Sequence, residues 1–450
     1  MAMASPADAA ESKLFQSDFP PEEFKERRAK IFEAIGPNAH ALLQGAPAPR
    51  GFEGFRQSNE FYYCCGVEVP QAYLLLAGSN RTVRLYLPHR PEHAGSEGPA
   101  FVAEDADLVK RLTGVDAVHP PEALAAHLQQ ASVLYTPHAP AEGLRAARDT
   151  LAHADRLAMT DPWDGCPTRE QHFIAMLRTR FPRLEIRDLS PTLDALRAIK
   201  SAREIAVLRR AGELTAMAVA EAMRATKPGM VERELGAIAT ALYLRHGARG
   251  EGYAAIIASG PNMWFGHYNR NDAVMRDGDI VLMDVAPDYH YYTSDIGRTW
   301  PVNGVYAPWQ RELYGFMVEY HKVVLRLIRP GRTADEIHAA AAAEMAKVVE
   351  RTKFSKPIYE AAARRTLEFK GHLSHPVGMA VHDVGGYRAE PLRPGLVFAV
   401  DPQLWVPEEK LYIRCEDTVA VTGDGIENLT ALAPLDLAAV EAAMREGKGL

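Results

Sequence analysis

Acidic residues stand inside apolar, strand-like segments at two places in this 450-residue chain. At the first place, Asp284 follows the apolar run 280–283, and Asp295 lies on the returning strand of a predicted β-hairpin. Paired positions of an antiparallel hairpin have a constant index sum. A turn centred between residues 289 and 290 therefore places Asp284 directly opposite Asp295, with Cβ atoms about 5 Å apart. Like charges in that arrangement are unfavourable unless a cation neutralises them.

A second predicted hairpin repeats this arrangement. Asp401 and Glu416 each end an apolar run, and the polar turn 407–410 sets a register in which these two acids oppose each other. Two such pairs indicate shared divalent cations, because hard metals bind carboxylate oxygens and pairs of ions roughly 3.5–4 Å apart recur in hydrolases. The competing interpretation places the acids on a solvated surface, and the apolar residues of the same strands argue against it.

Three histidines stand near these acids in the sequence. His375 and His382 lie in the glycine-containing run 371–386, where glycine permits close approach of the backbone to a ligand, and His267 precedes the first hairpin. A neutral imidazole suits a fifth ligand position beside four carboxylates. Other imidazoles nearby can hold a substrate carbonyl or carry protons. Spacing alone does not assign these roles among the three.

The first half of the chain mixes short apolar runs with helical segments, which is typical of an α/β domain. Strands are predicted at 72–77, 82–87, 131–135 and 184–187, the first two as a hairpin, and helices at 121–128 and 142–152. Ser190-Pro191 is typical of a helix start. Because 450 residues exceed one ordinary core, we predict two domains, 1–188 and 189–450.

The second half is predicted to be internally duplicated. A Pro-Gly break followed by a helix start occurs at 227–235 and again at 329–337, and an acid-bearing hairpin follows each copy. Capping boxes at 201–204 and 333–336 mark helix starts. A repeat of this kind indicates two similar α/β halves that face each other.

Charge and composition narrow the possible partners. A formal net charge of −7 disfavours nucleic acid and anionic membranes, which require basic surfaces. No apolar run reaches the length of about 18 residues expected of a transmembrane helix, and the start 1–6 lacks the features of a signal peptide. Four scattered cysteines indicate reduced thiols, so a cytoplasmic location is expected.

Several motifs resemble those of the pita-bread metallopeptidases, the family of methionine aminopeptidase, aminopeptidase P and prolidase. They are Met283-Asp284-Val285, the run 294–299, the run 375–385, Val400-Asp401-Pro402 and Arg414-Cys415-Glu416-Asp417. The run 54–63 resembles the N-terminal domain of aminopeptidase P. The resemblance implies an α/β (α+β) fold in which that domain precedes a pita-bread domain of pseudo-twofold symmetry. It also implies hydrolysis of the bond between an N-terminal residue and a following proline.

The same resemblance assigns roles to individual residues. The implied ligands of two divalent metal ions are Asp284, Asp295, His375, Asp401 and Glu416. The implied substrate-contacting or proton-handling residues are His267 and His382, with Arg414 as a buttress and Asp401 as a proton acceptor. Manganese is the usual metal of this branch, with zinc and cobalt as competitors. Proline-containing peptides are the expected partners, and a homodimer is the expected assembly.

The chain departs from the family at two positions. The family has Glu where this chain has Asp401, whose carboxylate is retracted by roughly 1.5 Å, the length of one single bond. The order Gly371-His372 also reverses the His-Gly order that the branch has before its ligand histidine. Three alternatives stay open: a prolidase limited to dipeptides, which uses the same ligands, a metal-free hydrolase resembling creatinase, and a non-catalytic binding protein, which Asp401 alone favours.

Overall fold

The computed structural model describes residues 14–91, 100–388 and 390–447, and the chain divides into two compact units, 1–197 and 198–450. The segment 1–6 lies outside the described residues. The division falls at the end of a helix, Ser190–Ala198, whereas the sequence places the domain boundary just before this helix. None of the described helices has both the length and the hydropathy needed to cross a bilayer.

Unit 1 contains a six-stranded mixed sheet in the order β4-β3-β2-β1-β5-β6. Its strands are β1 (Ala39–Gln44), β2 (Tyr73–Ala77), β3 (Thr82–Tyr86), β4 (Ala117–His119), β5 (Val133–Thr136) and β6 (Glu185–Asp188). Its helices are α1 (Pro21–Ile35), α2 (Asn59–Cys65), α3 (Ala106–Thr113), α4 (Leu124–Leu128), α5 (Arg148–Thr160), α6 (Arg169–Arg180) and α7 (Ser190–Ala198). The pairs β1–β2 and β2–β3 are antiparallel, and the other pairs are parallel.

The hairpin predicted in this unit is confirmed. Ala77 pairs with Thr82 across the turn, where Arg81 adopts a left-handed φ of 52° and the Asn80 side chain accepts a hydrogen bond from the Thr82 N–H. Leu75 on β2 is fully buried in an apolar cluster of this unit. Four consecutive residues of β2, 74–77, are buried, so both faces of this strand are covered.

The helix predicted over 142–152 is wrong at its N-terminal end, because α5 begins only at Arg148. Glu142 is fully buried, and its carboxylate pairs with Arg197 and accepts a hydrogen bond from the Arg148 N–H. The ion pair and hydrogen bond of this buried glutamate hold residues 142–147 in an irregular conformation. Tertiary contacts therefore override the helical propensity of these residues.

Unit 2 contains an antiparallel sheet in the order β10-β13-β9-β8-β7, with β14 pairing β13. Its strands are β7 (Ile256–Ser259), β8 (Ile280–Asp284), β9 (Ile296–Pro301), β10 (Val397–Val400), β13 (Glu416–Val421) and β14 (Ile426–Asn428), and β11 (Gln403–Val406) and β12 (Leu411–Arg414) form a separate ribbon. Its helices are α8 (Ala202–Ala225), α9 (Glu232–Arg245), α10 (Pro308–Leu327), α11 (Ala334–Arg351), α12 (Pro357–Thr366) and α13 (Leu437–Gly447).

Both predicted capping boxes are confirmed. The hydroxyls of Ser201 and Thr333 accept hydrogen bonds from the backbone N–H groups of Glu204 and Glu336, at the starts of α8 and α11. Each bond satisfies a backbone donor that the first turn of the helix leaves unpaired. The helices and the sheet of unit 2 share one apolar core, which includes the fully buried Trp300.

Candidate metal centre

The first acid pair lies at the loop end of the β8–β9 hairpin, in a register two residues away from the predicted one. Asp284 pairs with Gly297, so it is not directly opposite Asp295. The predicted direct opposition is therefore wrong. The turn is centred one residue later, because His290 and Tyr291 adopt left-handed φ values of 49° and 73° between the mutually bonded Tyr289 and Tyr292.

This register places Gly297 between Asp284 and Glu416, with which it pairs on either side. A Cβ atom at Gly297 would lie 3.1 Å from the Glu416 Cβ and 3.4 Å from the Arg414 Nε. Glycine thus leaves room for both side chains next to Asp284. A shift of two residues keeps Asp295 on the same face of the sheet as predicted, since side chains alternate with a period of two.

The second acid pair has the predicted register. Val400 pairs with Asp417, and Gln403 pairs with Arg414, which places Asp401 and Glu416 at matching positions between these pairs. The strands are interrupted there: β10 ends and the ribbon β11–β12 begins. Because β13 also pairs with β9, through Glu416 and Gly297, the two hairpins bring their acids to one place.

His375 is brought to the acids by the edge of β10. Its carbonyl accepts a hydrogen bond from the Ala399 N–H at 2.9 Å, and its Nε2 lies 3.2 Å from Asp295 Oδ2 and 4.0 Å from Glu416 Oε1. One ligand-capable atom from each of Asp295, His375 and Glu416 lies within 4.8 Å of the others. This spacing is compatible with ligands of a common cation.

Arg414 connects the remaining acids. Its guanidinium pairs with Asp284 Oδ2, and its Nη1 lies 3.1 Å from Glu416 Oε2 and 3.5 Å from Asp401 Oδ2. A single guanidinium thus contacts three of the four carboxylates. The Coulomb repulsion within such a buried group is large, so the cluster favours additional positive charge.

Tyr253 is a site residue that the sequence did not reveal. Its hydroxyl lies 2.5 Å from Asp284 Oδ1 and 2.9 Å from Asp295 Oδ1, so it bonds both members of the first acid pair. It stands in the segment before β7, outside the acid-bearing hairpins. No charge pattern or spacing in the sequence marks it.

Burial and neighbouring charges shift the pKa values of the acids. Burial, together with Asp295 and Asp401, raises the pKa of Glu416 well above its usual range. Burial also raises the pKa of Asp284, with a further contribution from Asp295. Burial acts in the same direction on Asp295, but its hydrogen bond with His375 and the nearby positive charges outweigh it and lower the pKa of Asp295.

Missing hydrogen bonds at the acids also fit a pair of divalent metal ions. Both oxygens of Glu416 and Oδ1 of Asp401 are buried and have no hydrogen-bond partner among the described residues. Buried carboxylate oxygens are ordinarily hydrogen-bonded or bound to a metal. One imidazole and four carboxylates are also a donor set that hard divalent ions accept.

The other two predicted histidines extend the site from His375. The rings of His375 and His382 are 4.1 Å apart, and those of His382 and His267 are 6.1 Å apart. Burial, followed by the charge of Arg414, lowers the pKa of His267, which favours its neutral form. His372 lines the same cavity as Asp401, with its ring 5.0 Å from that of Phe369.

Buried polar contacts hold this arrangement in place. Thr418 exchanges hydrogen bonds of 2.8 Å with the backbone N–H and carbonyl of Asp295. Asp417, next to Glu416, bonds Arg298 Nη2 at 2.6 Å and His321 Nε2 at 2.7 Å. These bonds fix the backbone on both sides of the acids, so the site is built on rigid strands.

Comparisons with known proteins agree with this geometry. Residues 24–136 match the aminopeptidase P N-terminal domain, and residues 206–423 match metallopeptidase family M24. The Xaa-Pro aminopeptidase of Escherichia coli (strain K12) is 33% identical, over 92% of this chain and 96% of its own length. That of Haemophilus influenzae is 28% identical, over 95% of this chain and 98% of its own length.

A solved structure gives the same result. Aminopeptidase P from E. coli with the inhibitor Pro-Leu superposes with a TM-score of 0.78 at 32% identity, over 96% of this chain and 100% of that chain. The predicted two-domain α/β fold and the predicted hydrolase activity are confirmed, and the three alternative functions are not favoured. The chain belongs to the aminopeptidase P branch of metallopeptidase family M24 and is a metal-dependent exopeptidase that cleaves Xaa-Pro bonds.

Proposed function

We propose that two divalent metal ions are held by four carboxylates and one imidazole: Asp284, Asp295, His375, Asp401 and Glu416. The observation that carries this assignment is the buried Glu416 carboxylate: its oxygens have no hydrogen-bond partner among the described residues and are neutralised only by the nearby Arg414 guanidinium and the Nε2 of His375. When bound, such ions supply Lewis-acid activation of water near neutral pH.

The protein's own residues supply binding and proton transfer. We assign His267 and His382 to the substrate carbonyl, where a neutral imidazole N–H stabilises the negative charge that develops on the oxygen. The Asp401 carboxylate takes the proton that the attacking water loses, and the proton passes to the proline nitrogen as the peptide bond breaks. Arg414 positions Asp284, Asp401 and Glu416 through its guanidinium.

The metal, the assembly and the location are finer proposals. Manganese is the proposed metal, with zinc and cobalt as competitors, because an oxygen-rich donor set suits hard divalent ions. A homodimer is proposed because proteins with this N-terminal domain often self-associate. A cytoplasmic location is proposed because the four cysteines are free thiols, of which Cys64, Cys65 and Cys415 are buried.

The substrate is tested by hydrolysis of Ala-Pro-Ala and Ala-Pro, with the chelated protein and again after Mn²⁺ is restored. We expect metal-dependent cleavage of the tripeptide. Cleavage of the dipeptide alone identifies a prolidase, and cleavage of neither peptide with metal bound contradicts the proposed substrate.

The ligand assignment has its own test. Asp295→Ala and Glu416→Ala are expected to lose bound metal and activity together, because each removes a buried carboxylate of the cluster. Full metal content with an unchanged rate in either variant rules the assignment out.

A further inference from the structure

The two carboxylate oxygens of Asp401 have different surroundings. Gln403 Nε2 donates a hydrogen bond of 2.6 Å to Oδ2, and Arg414 Nη1 lies 3.5 Å from the same oxygen. Oδ1 is buried and has no hydrogen-bond partner among the described residues. The Asp401 side chain is only 5% exposed, so this difference is not levelled by solvent. One oxygen is therefore tethered, and the other is left for a ligand.

Gln403 is itself held in place. The Trp405 Nε1 donates a hydrogen bond of 3.3 Å to the Gln403 side-chain oxygen. The Trp405 ring stacks on Tyr412 at 4.1 Å and meets Trp264 edge-on at 5.3 Å. An orienting chain thus runs from a packed aromatic group through Gln403 to Asp401.

Apart from Arg414, no described side chain makes a contact with Asp401 Oδ2 that could replace the hydrogen bond from Gln403. A cavity of about 530 Å³ borders Asp401, Gln403 and Trp405. Gln403 and Arg414 are the described side chains that bond to the Asp401 carboxylate, so its orientation depends on them. Because Gln403 is exposed at the start of β11, its truncation enlarges an existing cavity and leaves the apolar core intact.

We infer that Gln403 is a positioning residue, which fixes Oδ2 of Asp401 so that Oδ1 is the metal-binding atom. This inference rests on the proposed function, in which Asp401 is a ligand. A carboxylate as short as aspartate reaches a metal from one favoured rotamer, and a hydrogen bond that selects this rotamer raises metal affinity. Hydrogen bonds to ligating carboxylates commonly have this role.

The test is a Mn²⁺ titration of metal-free protein by isothermal titration calorimetry. In Gln403→Ala we expect one of the two ions to bind about 10–100-fold more weakly, the loss usual for such outer contacts. The other ion is expected to bind as in the parent, because Gln403 makes no described contact with Asp284. Trp405→Phe keeps the aromatic packing but removes the N–H donor, and we expect a smaller loss of the same ion.

Two controls separate positioning from general damage. Glu408→Ala changes an exposed residue in the turn of the same ribbon and is expected to bind both ions with parental affinity. Asp401→Glu introduced into Gln403→Ala is expected to restore most of the lost affinity, because a longer carboxylate reaches the metal without the tether. A double-mutant cycle of these two changes measures their coupling.

The outcomes distinguish this inference from the proposed function. If Asp401→Ala loses one ion but Gln403→Ala binds both ions as the parent does, only the role of Gln403 is overturned. Parental binding of both ions in Asp401→Ala overturns the proposed ligand set. Failure of Asp401→Glu to restore binding in Gln403→Ala means that Gln403 acts on the fold and not on the carboxylate.

Discussion

Tyr253 is the shortest link between the two acids of the first pair. Its single O–H proton can be donated to only one carboxylate at a time, so the contacts with Asp284 and Asp295 imply a shared or alternating hydrogen bond. Burial and these two acids raise the pKa of the Tyr253 hydroxyl well above its usual range, so it stays a proton donor. The hydroxyl thereby reduces the repulsion between two carboxylates that the fold brings together.

Tyr253→Phe removes this donor and keeps the ring. A hydrogen bond to a charged group contributes about 1.5–3 kcal/mol, so we expect kcat/KM for Ala-Pro-Ala to fall by about 10–100-fold. Tyr359→Phe is the matched control, because that hydroxyl bonds Glu409, a carboxylate outside the acid cluster. An equal loss in both variants, or no loss in Tyr253→Phe, contradicts the assigned role.

Single residues also mark the limit of what the sequence can predict. The acids could be predicted because charged side chains inside apolar strands need a neutralising partner, whereas the ligand role of His375 came only from the family resemblance. Tyr253 and Gln403 could not, because a tyrosine near a strand and a glutamine in a polar ribbon are ordinary residues there. Their importance depends on which carboxylate oxygens they reach, and only the folded chain specifies that.

At the level of elements, the β8–β9 hairpin shows which structural features the sequence predicts reliably. The sequence predicted the hairpin and the shared face of its acids, because both follow from the two-residue period of a strand. It missed the register, because His290 and Tyr291 are not residues typical of a turn with two left-handed positions, which favours Asn-Gly. The second hairpin kept its predicted register because its polar turn, 407–410, is evident in the sequence.

Two helical glycines test how closely the elements of unit 2 pack. A Cβ atom at Gly212 on α8 would lie 2.4 Å from the Leu429 carbonyl oxygen, whereas one at Gly315 on α10 would lie 3.9 Å from a Leu437 methyl group. Gly212→Ala is expected to lower the free energy of unfolding by about 1–3 kcal/mol through overpacking. Gly315→Ala is expected to raise it by about 0.5–1 kcal/mol, because alanine favours the helix.

Urea denaturation of both variants measures this difference. The two substitutions are chemically identical, so opposite signs isolate the effect of the Leu429 backbone. If Gly212→Ala is as stable as the parent, then α8 does not approach Leu429 as closely as described.

For the molecule as a whole, the acid cluster couples metal binding to stability. One guanidinium contacts three of the four carboxylates, and the buried Glu416 oxygens have no hydrogen-bond partner in the described chain, so the metal-free fold is destabilised by its excess of buried acids. Strands β8, β9, β10 and β13 all meet at this cluster or next to it. A ligand that binds the native state alone stabilises it by mass action, by about 2.7 kcal/mol at a concentration of 100 Kd.

Chelation is therefore expected to lower the melting temperature, and Mn²⁺ to restore it by roughly 5–10 °C per ion, at the 2–4 °C per kcal/mol usual for large domains.

Glu416→Gln keeps the shape of the side chain and removes its charge. In chelator this variant is expected to melt at a higher temperature than the parent, because a neutral amide avoids the cost of protonating the carboxylate or of burying its charge among the other acids, and to gain little from Mn²⁺. Differential scanning calorimetry of both proteins, with chelator and with Mn²⁺, measures the four melting temperatures. A variant that melts below the parent in chelator shows that Glu416 stabilises the metal-free fold, contrary to the charge argument, and a full Mn²⁺ response in the variant shows that the ions bind elsewhere.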